Sequence, residues 1–309
     1  MSRSLLVERI RRQLAGQGFA PAGSHPPAAE GRAEEYRLAR SRVVEDPVLR
    51  ARPVGEPTAW PDPVAFLDGV QRYEVVGTSG GHPVIVAELG AAVRVRQGRD
   101  FRTVERAERR ILVAAPEVLP VAARVASECE PIPIDGDDPA RLHPLRAVEL
   151  ARRAIDRERG RLERDVGAAF RRRSAAWIVV DGVLTDSDVW ARDPHAVGVS
   201  KSHATLPFDG PELVTYLELP AGCRSSVFEP ATWRITPVRS WGLRLWPWEG
   251  EDLFHGLVRI EVADLPESIE RADPISRWIL AERAPLSRPD PRWDRLLYGI
   301  SAVERHLSR

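Results

Sequence analysis

Two stretches past the middle of the chain decide how it is read: Trp177-Ile178-Val179-Val180-Asp181-Gly182-Val183-Leu184 and Val197-Gly198-Val199-Ser200-Lys201-Ser202-His203. The first is a run of β-branched and aromatic strand formers closed by a carboxylate and a glycine. The second is a short apolar strand that ends in a lysine. An acid and a cation carried to the ends of buried strands put a polar site at one edge of a sheet. Earlier in the chain, Val64-Ala65-Phe66-Leu67-Asp68-Gly69 repeats the apolar-apolar-Asp-Gly pattern. Asp-Gly is a common turn dipeptide, and only its repetition after apolar runs lifts Asp68 and Asp181 above that reading.

Working outward, residues 4–16 carry Leu6, Ile10 and Leu14 at helical spacing. Residues 20–63 are rich in Pro, Ala and Gly and read as an extended arm with one helical piece around Ala33–Arg42. Residues 1–62 are therefore expected to be an appendage wrapped on the domain or on a partner, and 63–309 the domain proper. Extended segments are expected at 70–76, 84–96 and 109–114, with Gly80-Gly81 as a hairpin turn between the first two. A loop is expected over 131–142. The longest helical pattern is 144–172, with Val148, Ala151, Ile155, Leu162 and Val166 as its apolar stripe and Gly160 as a place for a bend. After the strands at 177–181 and 196–200, further strands are expected near 214–219, 241–247 and 254–262, then helices at 274–283 and 292–308. Strands first, then helix alternating with strand, predict an α/β fold: a mixed sheet with helices packed on its faces.

Composition sets outer limits. The formal net charge is zero with 29% charged residues, so any polyanion would have to be met by a local basic surface. Two cysteines, Cys129 and Cys223, are too few for a disulfide framework or a structural zinc site. No apolar run approaches the roughly 18 residues needed to span a bilayer, and the start of the chain has no signal-peptide core. A soluble cytoplasmic protein with no membrane contact is expected. Lys201 is the only lysine among 45 basic residues. Where arginine fills the generic basic positions, a single lysine points to a chemical requirement.

Two carboxylates brought side by side repel unless a cation lies between them. Hard divalent cations, Mg²⁺ or Mn²⁺, favour such oxygen ligands. A third carboxylate is expected from the long helix, which offers Glu149, Asp156, Glu158 and Glu163. Glu158 and Glu163 both lie about 70° from the centre of the stripe, on opposite sides, and periodicity does not choose between them. Lys201 suits a phosphate as a compact point charge. Tyr298 and His306 are eight apart on one expected helix, about 80° apart around its axis, a phenol and an imidazole suited to phosphate binding or proton transfer. His203 reads as a loop residue. Trp241, Trp246 and Trp248 with Arg244 fit base stacking, or more commonly core packing.

Taken together, Phe66-Leu-Asp-Gly69, Val179-Val-Asp-Gly-Val-Leu184, Gly198-Val-Ser-Lys-Ser-His203, Gly256-Leu-Val-Arg-Ile-Glu261, and Tyr298 followed by His306 resemble the NurA nuclease family in order and spacing. The resemblance runs from about residue 64 to the C-terminus. It implies a ribonuclease H-like fold, a homodimer with a central DNA channel, and Mn²⁺-dependent (or Mg²⁺-dependent) hydrolysis of DNA. It also implies single-strand endonuclease and 5′-to-3′ exonuclease activity in DNA end resection and repair, with a HerA-type hexameric ATPase as partner. Carried over residue by residue, Asp68 and Asp181 match the metal aspartates, Glu163 in Arg159-x-x-x-Glu163 best matches the helix glutamate, and Tyr298 and His306 match the C-terminal pair; Lys201 joins them as a phosphate ligand. Gly299 departs from the family, many members having Pro there, and residues 84–114 and the arm align with no motif. The arginines of 146–173, ten against five acids, would line part of the channel.

Two other classes compete. A non-catalytic dimeric adaptor docking an ATPase on DNA would use the arm and tryptophans, and would stimulate ATPase activity with no divalent-metal dependence. Asp186-Ser-Asp188 fits the Asp-x-Asp motif of nucleotide-sugar transferases, a reading that failure to bind a nucleotide diphosphate would end.

Overall fold

The computed structural model describes residues 3–19, 37–98, 100–134, 143–231, 236–283, 295 and 297–307. In chain order the elements are α1 (Arg3–Ala15), β1 (Arg37–Leu38), β2 (Arg42–Val43), β3 (Ala51–Pro53), β4 (Val64–Ser79), β5 (His82–Gln97), β6 (Asp100–Ala114), α2 (Leu119–Val125), β7 (Glu130–Pro133) and α3 (Pro144–Arg171). There follow β8 (Trp177–Asp181), a 3-10 turn (Leu184–Asp186), α4 (Asp188–Ala191), β9 (Ala196–Ser200), β10 (Thr205–Leu206), α5 (Gly210–Leu217), β11 (Cys223–Ser225), β12 (Phe228–Glu229), β13 (Val238–Arg244), β14 (Leu257–Ala263), α6 (Ser268–Glu282) and α7 (Tyr298–Leu307).

Among the described residues one mixed sheet runs β2-β12-β13-β14-β9-β8-β4-β5-β6-β7, with β11 joining β13 to β3. The strands β4, β5 and β6 form the expected antiparallel meander, longer than the periodicity suggested, and the first hairpin closes at Gly80-Gly81. On the other side of β4 the pairing changes sense: β4 is parallel to β8, and β8 to β9. Strand alternation sorts side chains to two faces. Leu67, Ile85, Ala87, Ile178 and Val180 meet α3 through Ala151, Ile155, Leu162 and Val166. Phe66, Ala92, Val179, Val197 and Val199 meet α6 and α7 through Ala272, Ile275, Ile279, Ile300 and Val303. The stripe of α1 (Leu6, Ile10, Leu14) packs on Val76, Val84, Val86 and Leu112 toward the far end of the meander.

Four expectations change. The segment near 214–219 is helix, not strand: Pro211 starts α5, and Leu213, Tyr216 and Leu217 share its inner face over Phe208 and Phe228. The described part of the Ala33–Arg42 piece is β1 and the start of β2, not helix, and 20–36 lies outside the described residues. Within the loop expected at 131–142, β7 pairs in parallel with β6, and 135–142 lies outside the described residues. Gly160 does not interrupt α3, which runs unbroken from Pro144 to Arg171. Of the first 62 residues, β2 pairs with β12 and β3 with β11, so these pieces are strands of the main sheet. No helix among the described residues is long and apolar enough to cross a membrane.

The approach of α7 to the sheet depends on Gly299. A Cβ there would lie 2.3 Å from the Phe66 ring, so the helix backbone rests directly on the aromatic face. Gly299→Ala is expected to destabilise the fold by about 1–3 kcal/mol through overpacking, despite the better helix propensity of Ala. Urea unfolding measures it, and unchanged or higher stability would contradict this packing.

Candidate metal centre

The ladder that pairs β4 with β8 runs from Val64–Trp177 to Leu67–Val180, and the next residue on each strand is an aspartate. Asp68 and Asp181 thus stand side by side. Both lie on the α7 side, because Phe66 and Val179, two residues earlier, pack there. The strand β8 stops at Asp181. The strand β4 does not stop at Asp68 but continues to Ser79, so Gly69 serves a different purpose from the turn expected of it. A Cβ on Gly69 would fall 2.3 Å from Oε1 of Glu163. The glycine leaves open the space that the Glu163 carboxylate fills, reaching over from α3 on the opposite face.

The acids of α3 separate by partner. Glu149 pairs with Arg146 and Arg153, the buried Glu158 with Arg109 and Arg161, and Asp156 accepts from Gln71 Nε2 at 2.7 Å. Glu163 alone of the four comes to Gly69, with its carboxylate held by Arg159.

The carboxylates that close into one group are Asp68, Asp181 and Glu304, with one oxygen of each lying within 4.8 Å of the others. Sequence reading passed over Glu304. Its signal is the phase of α7: at 100° per residue it falls about 40° from Ile300 and about 60° from Leu307, an acid at the edge of the apolar stripe. Tyr298 and His306 drew attention instead, and they lie on another side of that helix. Tyr298 is half-exposed with its ring edge-on to Phe101 at 5.8 Å. His306 Nε2 lies 3.2 Å from both Thr103 Oγ1 and Arg106 NH1. Arg106 pairs with Ala92, and Ala92 with Asp68, so this flank is two strand spacings from the carboxylates, roughly 10 Å.

Lys201 is brought in directly. It follows β9, which pairs with β8 up to Asp181, and its Nζ donates to Asp181 Oδ2 at 2.9 Å. His203 is not part of the centre. Its ring stacks on Phe254, its Nε2–H donates to the Leu257 carbonyl at 3.0 Å, and burial pushes it down to about 4, so it is neutral at pH 7. Trp241 is buried with its indole N–H on Ser276, and Arg244 is buried among backbone carbonyls. Their expected alternative, core packing, is the one observed. Asp188 of the Asp-x-Asp sequence accepts from Thr236 Oγ1 at 2.7 Å.

The loop after Asp181 is held by Glu261, a buried carboxylate on β14. It accepts from the backbone N–H of Leu184 at 2.8 Å and of Thr185 at 3.3 Å, with Arg259 as counter-charge. Glu261 caps the 3-10 turn and so fixes the chain immediately beyond the second aspartate.

The donor set fits a divalent cation. One Asp68 oxygen accepts the Gly69 N–H at 2.8 Å, while its buried Oδ2 has no hydrogen-bond partner among the described residues. Burial, with the Asp181 carboxylate next to it, holds the Asp68 carboxyl well above the usual range. Burial also raises Glu163, against the pull of Arg159. Orphaned oxygens and crowded negative charge are what hard cations relieve.

No protein-family model matches the chain, and no curated protein matches it. Among solved structures, the crystal structure of the NurA nuclease from Sulfolobus solfataricus aligns with 99% of this chain and 92% of that one, at 11% identity and a TM-score of 0.40.

A carboxyl whose folded pKa lies above its unfolded value holds its proton longer in the folded state, so stability falls as pH rises between the two values. Metal-free Asp68→Asn protein is therefore expected to melt higher than metal-free wild type at pH 7, the difference vanishing below about pH 4. Equal melting at pH 7 would contradict the burial of an uncompensated charge. For Glu261→Ala, which leaves two backbone donors unpaired, denaturant unfolding should show a loss of about 1–3 kcal/mol. Glu261→Gln, which keeps an acceptor, should lose less.

Proposed function

We propose that the chain is a metal-dependent nuclease that hydrolyses DNA phosphodiesters at the Asp68–Asp181–Glu304 cluster. The observation that carries this reading is the convergence of three carboxylates from β4, β8 and α7 within 4.8 Å around the unpartnered Asp68 oxygen. The ordered sequence resemblance to NurA nucleases supports it. The strand order β6-β5-β4-β8-β9, an antiparallel meander followed by parallel strands, supports the ribonuclease H-like fold implied by that resemblance.

In this reading Asp68, Asp181 and Glu304 hold the cation, Mn²⁺ or Mg²⁺. When bound, it supplies Lewis-acid stabilisation of the phosphate oxygens and lowers the pKa of water. Asp68 is held by its pairing with Ala92 and by the β4–β8 ladder that ends one residue before it. Glu163, whose proton affinity is raised by burial, is placed beside the cluster to take a proton from the attacking water. Lys201 orients Asp181 through its 2.9 Å contact. Tyr298 and His306, with Arg106, bind the DNA strand away from the scissile phosphate. The sequence resemblance further assigns single-stranded DNA as substrate, cut internally and from the 5′ end. It assigns a homodimer acting with a HerA-type ATPase in double-strand break processing, in the cytoplasm.

The test is cleavage of single-stranded DNA with and without Mn²⁺. Activity is expected to require the ion and to fall on the order of 10³-fold in Asp68→Ala, Asp181→Ala and Glu304→Ala proteins, the loss of several kcal/mol of charge stabilisation. Unchanged cleavage by the two aspartate variants would remove the assignment.

A further inference from the structure

We infer that the centre takes one divalent cation rather than two, and that the Lys201 ammonium group occupies the place of the second. The inference rests on the reading of the carboxylate cluster as a metal centre.

Charge is the first argument. Asp68, Asp181 and Glu304 bring three negative charges within 4.8 Å, and Lys201 returns one positive charge at 2.9 Å from Asp181 Oδ2. The remainder is two, the charge of a single divalent ion. The fourth carboxylate, Glu163, adds nothing to this balance because Arg159 is its own counter-charge across one helical turn.

Ligand supply is the second. A pair of divalent ions in a nuclease centre lies about 3.5–4 Å apart and needs carboxylates that bridge or flank both. Asp181, the bridging candidate on the α7 side, already has one oxygen bound by Lys201. Asp68 already gives one oxygen to the Gly69 N–H, leaving a single buried oxygen without a partner. One orphaned oxygen on Asp68, one oxygen on Asp181 and the Glu304 carboxylate make a set for one ion.

Residue type is the third. Lys201 is the only lysine in a chain that uses arginine at every other basic position. An ammonium is a compact, strongly hydrated point charge, whereas a guanidinium is planar and broad. At a position where a small hard cation would otherwise sit, only the ammonium matches in size. Lys201 is also mostly buried, 14% exposed, and is set at the end of a fully buried strand, so its position is fixed by the sheet and not by chance contact.

Mn²⁺ titration of the full chain, followed by electron paramagnetic resonance, tests this independently of cleavage. Wild type is expected to bind one Mn²⁺ with an uncoupled six-line spectrum. Lys201→Met is expected to bind two, with the broadened spectrum of an exchange-coupled pair, and Lys201→Gln serves as a second variant with the same expectation. Two ions in wild type would overturn the inference and leave the nuclease reading intact, as would a single ion in both folded neutral variants. No bound Mn²⁺ in wild type would remove the metal centre itself, and the nuclease reading with it.

Discussion

Negative charge crowded around one buried carboxylate is the constraint on which this molecule turns. Asp68, Asp181 and Glu304 converge from three elements, and one Asp68 oxygen is buried with no donor to satisfy it. Left alone, such an arrangement weakens the fold, because burial and the neighbouring Asp181 hold the Asp68 carboxyl well above the usual range. Its persistence requires that the surrounding structure hold the groups together more strongly than they repel. The sheet does this by placing two of them one residue past the end of a parallel ladder. The α7 helix does it by pressing its backbone onto Phe66 through Gly299.

The supports around the centre are themselves mostly buried polar contacts. Glu261 fixes the chain just past Asp181 from the next strand but one, and Lys201 reaches the same aspartate from the strand between. Gly69 leaves room for a carboxylate from the other face of the sheet. Small residues allow close approach, and buried charges with counter-charges set direction.

Much of this could be read from the residues. Asp68, Asp181 and Lys201 each close an apolar run, and the buried face of a strand leaves few choices for where such groups go. The meander and the long helix followed from period-two and period-3.6 patterns. Glu304 is hard to single out because an acid at the edge of the apolar stripe of a short helix resembles any solvated charge, while the phenol and imidazole of the same helix carry the more distinctive chemistry. Among the acids of α3, helical phase left Glu158 and Glu163 equivalent, and only a tertiary fact, the missing side chain at Gly69, separates them. The helix α5 was mistaken for a strand because seven or eight residues rich in Val, Thr, Tyr and Leu satisfy both periods, and Phe208 and Phe228 beneath it decide the matter.

Glu304 comes from the last described helix, and Asp68 from the first long strand. On a ribosome, the early strands would form well before the residue that completes the cluster had been made. Until residue 304 leaves the exit tunnel and α7 docks on Phe66, the two aspartates lack their third partner. The order of synthesis would thus complete the three-carboxylate cluster last.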